Sequence, residues 1–387
     1  MTTRYYFDHA ASAPRRDEVA EAMAPWLHGV VGNPSGAHEP ARRARRAIEE
    51  ARDEVAAFVG ADPGGVIFTA GGTESCELAI LGAALNHRRH HERTEIVVSR
   101  VEHHAVLDAA AMAARDLEGV CVRYVEVDAE GVIDLDSLHE TVGDDTALVS
   151  VMTANNETGV IQPLGAVSSV VLAAARRSVP LHTDAVAAAP WLHLPVVTAT
   201  ADMVSLCAHK LGGPVNSGAL VLRGDVGLDP VQPGGGQERG LRGGTVDVAA
   251  AVGLAAAVRA TARELTATND HVLDLQATLI AALGYLPGAR VTSLGVARVA
   301  GTVHVTFEGL NSDELLFLLD EAGVAASAAA SCSSGAGEAS HVLTAMSVAP
   351  ERARGSLRLS MGAETTMAEV DAVIAIISSV VHRLGGV

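Results

Sequence analysis

Short runs of β-branched and aliphatic residues recur through the first part of the chain, and longer stretches of helical composition separate them. The runs are Val66–Thr69, Glu95–Ser99, Val120–Val127, Ala147–Met152, Pro180–Thr183, Asp202–Leu206 and Gly218–Leu222. The stretches between them include Ala37–Phe58, Thr73–Leu85, His104–Asp116 and Leu164–Arg177. Strands alternating with helices predict an α/β fold whose mostly parallel sheet is sandwiched by helices, because parallel neighbours need a crossover that returns over the sheet. After Asp247 the rhythm changes to a long Ala-rich helix over Val248–Leu283, then Gly301–Phe307, a helix at Ser312–Glu321, a strand at Ser356–Ser360 and a last helix at Thr366–Leu384. This predicts a large domain over residues 15–247 and a smaller α+β domain built from residues 1–14 and 248–387. Residues 1–14 are expected to be irregular and to pack across the two.

Hydrophobic residues make up 49% of the chain but aromatics only 3%, so the core must be filled by Ala, Val and Leu. A net charge of −18 disfavours direct binding to nucleic acid or an anionic membrane. The N-terminus lacks the apolar core of a signal peptide, and no long apolar run is free of charge or proline. Four cysteines, Cys76, Cys121, Cys207 and Cys332, are widely spaced without a CxxC pair, which points to reduced thiols and a cytoplasmic location. Arg42, Arg43, Arg45 and Arg46 read as a solvated helix face. The stretch Ala325–Ser340, rich in Ala, Ser and Gly, has little to bury and is expected to form a flexible loop.

Of 28 basic residues, one is a lysine, Lys210. Arginine replaces lysine wherever only positive charge is needed, but only an amine can form an imine. A lone lysine in an arginine-rich chain is either a compositional accident or a residue kept for covalent chemistry, of which binding pyridoxal phosphate is the common case. That cofactor needs a partner for its ring nitrogen, a platform for its ring and a phosphate cup. Asp184 ends a strand-like run before Lys210; it is either the ring-nitrogen partner or a cap on Ala185–Ala189. Gly71-Gly72-Thr73-Glu74 joins a strand to a helix, where backbone amides bind phosphate. His103 follows another strand and could stack on the ring and exchange protons, or be an ordinary loop residue. Cys207 and His209 flank Lys210 closely enough to face the cofactor. His87, His90 and His91, with Arg88, Arg89 and Arg93, read as a basic helix C-terminus rather than a metal site. Cys332, on the small-residue stretch, is either a travelling nucleophile or an incidental small residue. Arg358 is either a bidentate clamp for a substrate carboxylate or half of a surface ion pair.

In order along the chain stand Tyr6-Phe-Asp-His-Ala-Ala-Ser, Gly32-Asn-Pro-Ser-Gly-Ala-His38, Phe68-Thr-Ala-Gly-Gly-Thr-Glu-Ser75, Glu102-His103, Asn155-Asn-Glu-Thr-Gly159, Thr183-Asp184, His209-Lys210, Gly234-Gly-Gly-Gln-Glu-Arg-Gly240 and Arg242-Gly-Gly-Thr245. Together they resemble the cysteine desulfurases, class V members of the fold-type I pyridoxal-phosphate enzymes, over nearly the whole chain. The resemblance implies that Lys210 carries pyridoxal 5'-phosphate, His103 stacks on it, Asp184 pairs with its ring nitrogen and Asn156 lies near its phenolic oxygen and the substrate. It implies that Gly72, Thr73 and His209 hold the phosphate, and that Cys207 stands where the family has a phosphate-binding serine. Thr245 would reach in from the other subunit of a homodimer, and Arg358 would bind the carboxylate of L-cysteine. Cys332 matches the sulfur-accepting cysteine, which would pass persulfide sulfur to an acceptor protein.

The chain departs from the pattern at Ala187, where a glutamine is usual, and at Cys207, a weaker donor than serine. Both departures predict weaker cofactor retention than is usual in the family. Two alternatives stay open on the residues: a C–S lyase or aminotransferase-like enzyme using the same cofactor, and a catalytically weak dimer that serves as an assembly partner.

Overall fold

Helices on both faces of a sheet require each strand to be apolar on both sides, and the strands here meet that condition by alternation. The structure, a computed structural model, describes residues 4–29, 32–90, 94–176, 178–328 and 340–385. Among them the strands, in chain order, are β1 Tyr5–Tyr6, β2 Val66–Thr69, β3 Glu95–Ser99, β4 Cys121–Val125, β5 Thr146–Ser150, β6 Leu181–Asp184, β7 Met203–Cys207, β8 Gly218–Leu222, β9 Ala289–Val291, β10 Thr302–Phe307, β11 Val324–Ala325 and β12 Ser356–Ser360. Seven form one sheet in the order β2-β8-β7-β6-β5-β3-β4, in which β8 alone runs against its neighbours. Val66 and Phe68 enter one core and Ile67 the other; Val97, Val204 and Val221 take the first side, and Ile96, Met203 and Leu220 the second.

The helices Gly72–His90 and His104–Asp116 close the second side. Glu39–Val59, Leu164–Ala174 and the first half of Val248–Gly284 close the first. That last helix then leaves the sheet. Its residues Val272, Leu275, Leu279 and Leu283, spaced to share one helix face, enter a separate core with the sheet β12-β10-β9 and the helix Met367–Gly385. One helix thus belongs to both cores.

The N-terminal segment is more regular than expected. Tyr5–Tyr6 pairs in parallel with Val324–Ala325, and Phe7, 1% exposed, plugs the core under the β12-β10-β9 sheet. The chain then crosses to the first core, where Ala13 N–H donates to the His209 carbonyl at 3.0 Å. Arg42 and Arg45 are exposed, as a solvated face requires, but both also donate to backbone carbonyls in the segment 34–37. The helix opening at Gly72 runs past the expected Leu85 to His90, so His87, Arg88, Arg89 and His90 fill its last turn, where the arginine charges favour the negative end of the helix dipole. His91, Arg93 and Arg177 lie outside the described residues, as does the stretch 329–339 with Cys332. No described helix is long and apolar enough to cross a membrane, and no group of potential ligands among the described residues could hold a metal ion.

Candidate active site

In a parallel sheet every strand leaves its last residue at the same edge, so functional side chains collect there. A cavity of about 360 Å³ opens at that edge and is roofed by β12 of the three-stranded sheet. Lys210, Asp184, His103, Gly72, Thr73, Asn156, Cys207, His209 and Arg358 all line it; Thr245 does not.

Lys210 stands on the single 3-10 turn His209–Leu211 that follows β7. Gly212 closes the turn at φ +76°, and a Cβ there would come within 2.8 Å of the Pro14 carbonyl. Glycine therefore lets the N-terminal segment lie against the lysine turn. Lys210 Nζ donates to the Ala11 carbonyl at 2.8 Å and to that of Ala10.

Asp184 ends β6 opposite Ser205 of β7. Its Oδ1 accepts from Val186 N–H at 2.9 Å, so it caps a turn rather than a helix. Burial raises its carboxyl above the ordinary value, and the charges of His103 and Lys210 pull it back. An anion so enclosed gains most from a cation in the cavity, such as a protonated ring nitrogen. His103 caps the helix His104–Asp116, its Nδ1 accepting from Ala105 N–H at 3.0 Å. The neutral ring must then carry its proton on Nε2. Burial lowers its basicity, against the pull of Asp184.

Gly72 opens a 19-residue helix, so its first-turn amides face the cavity without intrahelical partners. A Cβ on Gly72 would lie 2.8 Å from Val186 Cγ2, which leaves glycine to fit that wall. Burial and the Lys210 charge push His209 down to about 4, so it meets an anion as a neutral donor. The Cys207 thiol lines the same wall, and burial raises it to about 11, so it stands there as a neutral thiol. This donor set fits a molecule with a phosphate at one end, a basic ring nitrogen at the other and an aldehyde for the lysine between them.

Arg358 is 4% exposed on β12. It donates to the Asn156 carbonyl and to Asp8 Oδ1, each at 2.9 Å. It therefore lines the cavity while ion-paired to Asp8, and the pair is buried rather than on the surface. Thr245 is exposed, near the ion pair in which Arg242 Nε donates to Glu74 Oε1 at 2.8 Å.

Several participants carried no sequence signal of their own. Asp8 pairs with Arg358 across 350 residues of chain, and Ala10 and Ala11 act through carbonyls that any residue could supply. Glu102 is fully buried; its Oε1 accepts from Met152 N–H at 2.6 Å, its Oε2 has no partner among the described residues, and burial beside Asp184 raises it to about 8. Asp8 and Glu102 sit inside the quoted motifs, but nothing in the sequence says what they touch.

Residues 5–373 match the family model for aminotransferase class-V. The IscS-like cysteine desulfurase of Mycobacterium tuberculosis is 42% identical over 385 residues, covering 98% of this chain and 96% of that protein. Among solved structures, a NIFS-like protein superposes with a TM-score of 0.89 at 33% identity, covering 97% of this chain and 99% of that one. A structure described as SspA in complex with cysteine gives a TM-score of 0.80 at 33% identity, covering 94% of this chain and 100% of that one.

Proposed function

The chain belongs to the class-V aminotransferase family, within its cysteine desulfurases, and from that premise we propose that it takes sulfur from L-cysteine, with pyridoxal phosphate held at Lys210 and Cys332 as first acceptor. The observation that carries this reading is that the one lysine of the chain, an enclosed carboxylate, a capping histidine, a helix N-terminus and a buried arginine all meet in one cavity. When bound, the cofactor supplies an electron sink for charge that develops at the substrate Cα.

The residues of the chain do the rest. Amides at Gly72 and Thr73, with neutral His209, hold the phosphate, and Asn156 lies at the phenolic side. Asp184 would keep a proton on the ring nitrogen, and His103, which lines the same cavity, would support the ring. Arg358 takes the substrate carboxylate, which must share the guanidinium with Asp8 or displace it. The freed Lys210 amine removes the Cα proton, and His103 moves protons at the substrate sulfur. Cys332 attacks that sulfur as a thiolate. An S–S bond forms as the C–S bond breaks, its electron pair stays with carbon, and reprotonation releases alanine. The persulfide sulfur then passes to an acceptor protein in the cytoplasm.

Borohydride reduction of the reconstituted protein should fix the cofactor on Lys210, and Lys210→Ala should lose alanine formation by about a thousandfold or more. Cys332→Ala should abolish persulfide transfer. Reduction that tags another residue, or transfer that survives Cys332→Ala, overturns the assignment.

A further inference from the structure

The outer side of β12 carries contacts that the chemistry above does not use. In the order β12-β10-β9 this strand is at the edge of its sheet, and Ser327 bridges the free side, antiparallel to Arg358. Ser327 N–H donates to the Arg358 carbonyl at 3.2 Å, and Arg358 N–H donates back to the Ser327 carbonyl at 2.6 Å. Ala328, the last described residue before the stretch 329–339, accepts at its carbonyl from Ser356 Oγ at 3.1 Å. Ser356 and Arg358 are two apart on one strand and so share a face. The residue proposed above for the substrate carboxylate and the root of the chain that leads to Cys332 are thus built on the same short strand.

Ser356 is itself held. Its Oγ lies 2.7 Å from His304 Nε2, and His304 Nδ1 lies 2.8 Å from Thr292 Oγ1. Ser356 is 3% exposed and His304 0%. The proton positions follow from the last partner. A carbonyl only accepts, so the Ser356 hydroxyl gives its proton to Ala328. Its oxygen then accepts from His304 Nε2–H, and the bare Nδ1 accepts from the Thr292 hydroxyl. A doubly protonated ring would lose that acceptor; burial, with the Arg358 charge, prevents this by pushing His304 down to about 3. Three buried side chains therefore aim one hydroxyl at one backbone carbonyl.

Chain length gives this carbonyl its weight. Cys332 lies four residues beyond Ala328, so its Cα can stand no farther than about 14 Å from that of Ala328. The other root, Ser340, donates to Glu157 Oε2 at 2.5 Å with both residues buried, but it lies eight residues from Cys332. The Ala328 end is the shorter tether and sets the tighter limit on where the thiol can go. Misplacing a reacting group by about 1 Å can cost about a hundredfold in rate.

We propose that Ser356, oriented by His304, is a positioning residue that fixes the root of the Cys332 segment beside Arg358, so that the thiol starts at a set distance from bound substrate. The proposal rests on the functional reading above. A purely structural role predicts lower stability alone, whereas a positioning role predicts a slower sulfur step with substrate binding intact.

The test uses the cofactor-loaded full chain. Ser356→Ala removes the hydroxyl but leaves the backbone ladder of β12, and Arg358 with it. Its single-turnover rate of alanine formation should fall about three- to tenfold, while the L-cysteine concentration that half-saturates this rate stays at the wild-type value. Amide hydrogen exchange in the peptide spanning Ser327 should speed up as the root loosens. Ser356→Thr keeps the donor and should stay near wild type in both readouts. His304→Gln, which can donate to Ser356 and accept from Thr292, should stay nearer wild type in both than His304→Leu; this pair decides the matter if Ser356→Ala fails to fold. A Ser356→Ala protein with lower Tm but unchanged rate and exchange overturns the positioning role alone, as do equal rates in the two His304 variants. A raised half-saturating concentration would place the effect at Arg358 and overturns it as well. A wild-type protein that forms no alanine from L-cysteine overturns both this and the functional reading.

Discussion

Glu102 shows how far burial can change a residue without any motif to announce it. Its carboxyl titrates near 8 in the fold, against an ordinary value of 4.5, because burial and the Asp184 charge disfavour ionisation. The folded protein therefore keeps this proton over a range in which the unfolded chain has lost it. Stability from this group is fully present below about pH 4.5 and is lost as pH rises toward 8. Glu102→Gln keeps the acceptor for Met152 N–H but has no proton to lose. Its Tm should gain on wild type by about 2 °C per pH unit across that window and then level off. Parallel melting curves of wild type and variant at each pH would refute the shift.

Among the elements, the N-terminal segment was expected to be irregular, yet it ties several parts of the fold together. It adds β1 to β11, buries Phe7, places Asp8 on Arg358 and brings two carbonyls to Lys210. Phe7→Ala should cost about 3–5 kcal/mol, as large-to-small core substitutions do. The loss should reach the active site, because the residues that pair with Arg358 and Lys210 follow Phe7 directly. The expected result is a lower Tm together with a raised KM for L-cysteine. A lower Tm with an unchanged KM would show that the segment holds its active-site contacts without its anchor.

At the scale of the whole molecule, the segment from Gly234 to Thr245 has its own support. Arg52 forms a paired hydrogen bond with Glu238 at 2.8 and 3.0 Å, with both side chains nearly buried, and Glu238 and Arg239 are held at φ +43° and +59°. Non-glycine residues in that region are strained unless their surroundings fix them. We propose that this exposed segment serves a second subunit. The protein should run in light scattering at twice its 39.7 kDa. Thr245→Ala should weaken cofactor retention about three- to tenfold. Mixing it with Lys210→Ala should rebuild one intact site per mixed dimer, recovering retention there; no recovery on mixing would place Thr245 in its own subunit's site.

The chain's local chemistry was enough to mark the frame of this protein. The alternation of apolar runs gave the layered α/β sheet, and the lone lysine, the carboxylate at a strand end and the glycine turn before a helix drew attention to residues that do line one cavity. These signals are readable because each depends on neighbours a few residues away. Other features depend on groups brought together from far along the chain: Asp8 on Arg358, His182 between Ser150 and Ser205, the proton on Glu102, and a single helix shared by two cores. A side chain's partner and the dielectric around it do not exist until the strands are side by side. Sequence therefore named which groups could react, and only tertiary packing decided which of them share a hydrogen bond, which keep their protons, and which are held for another residue's use.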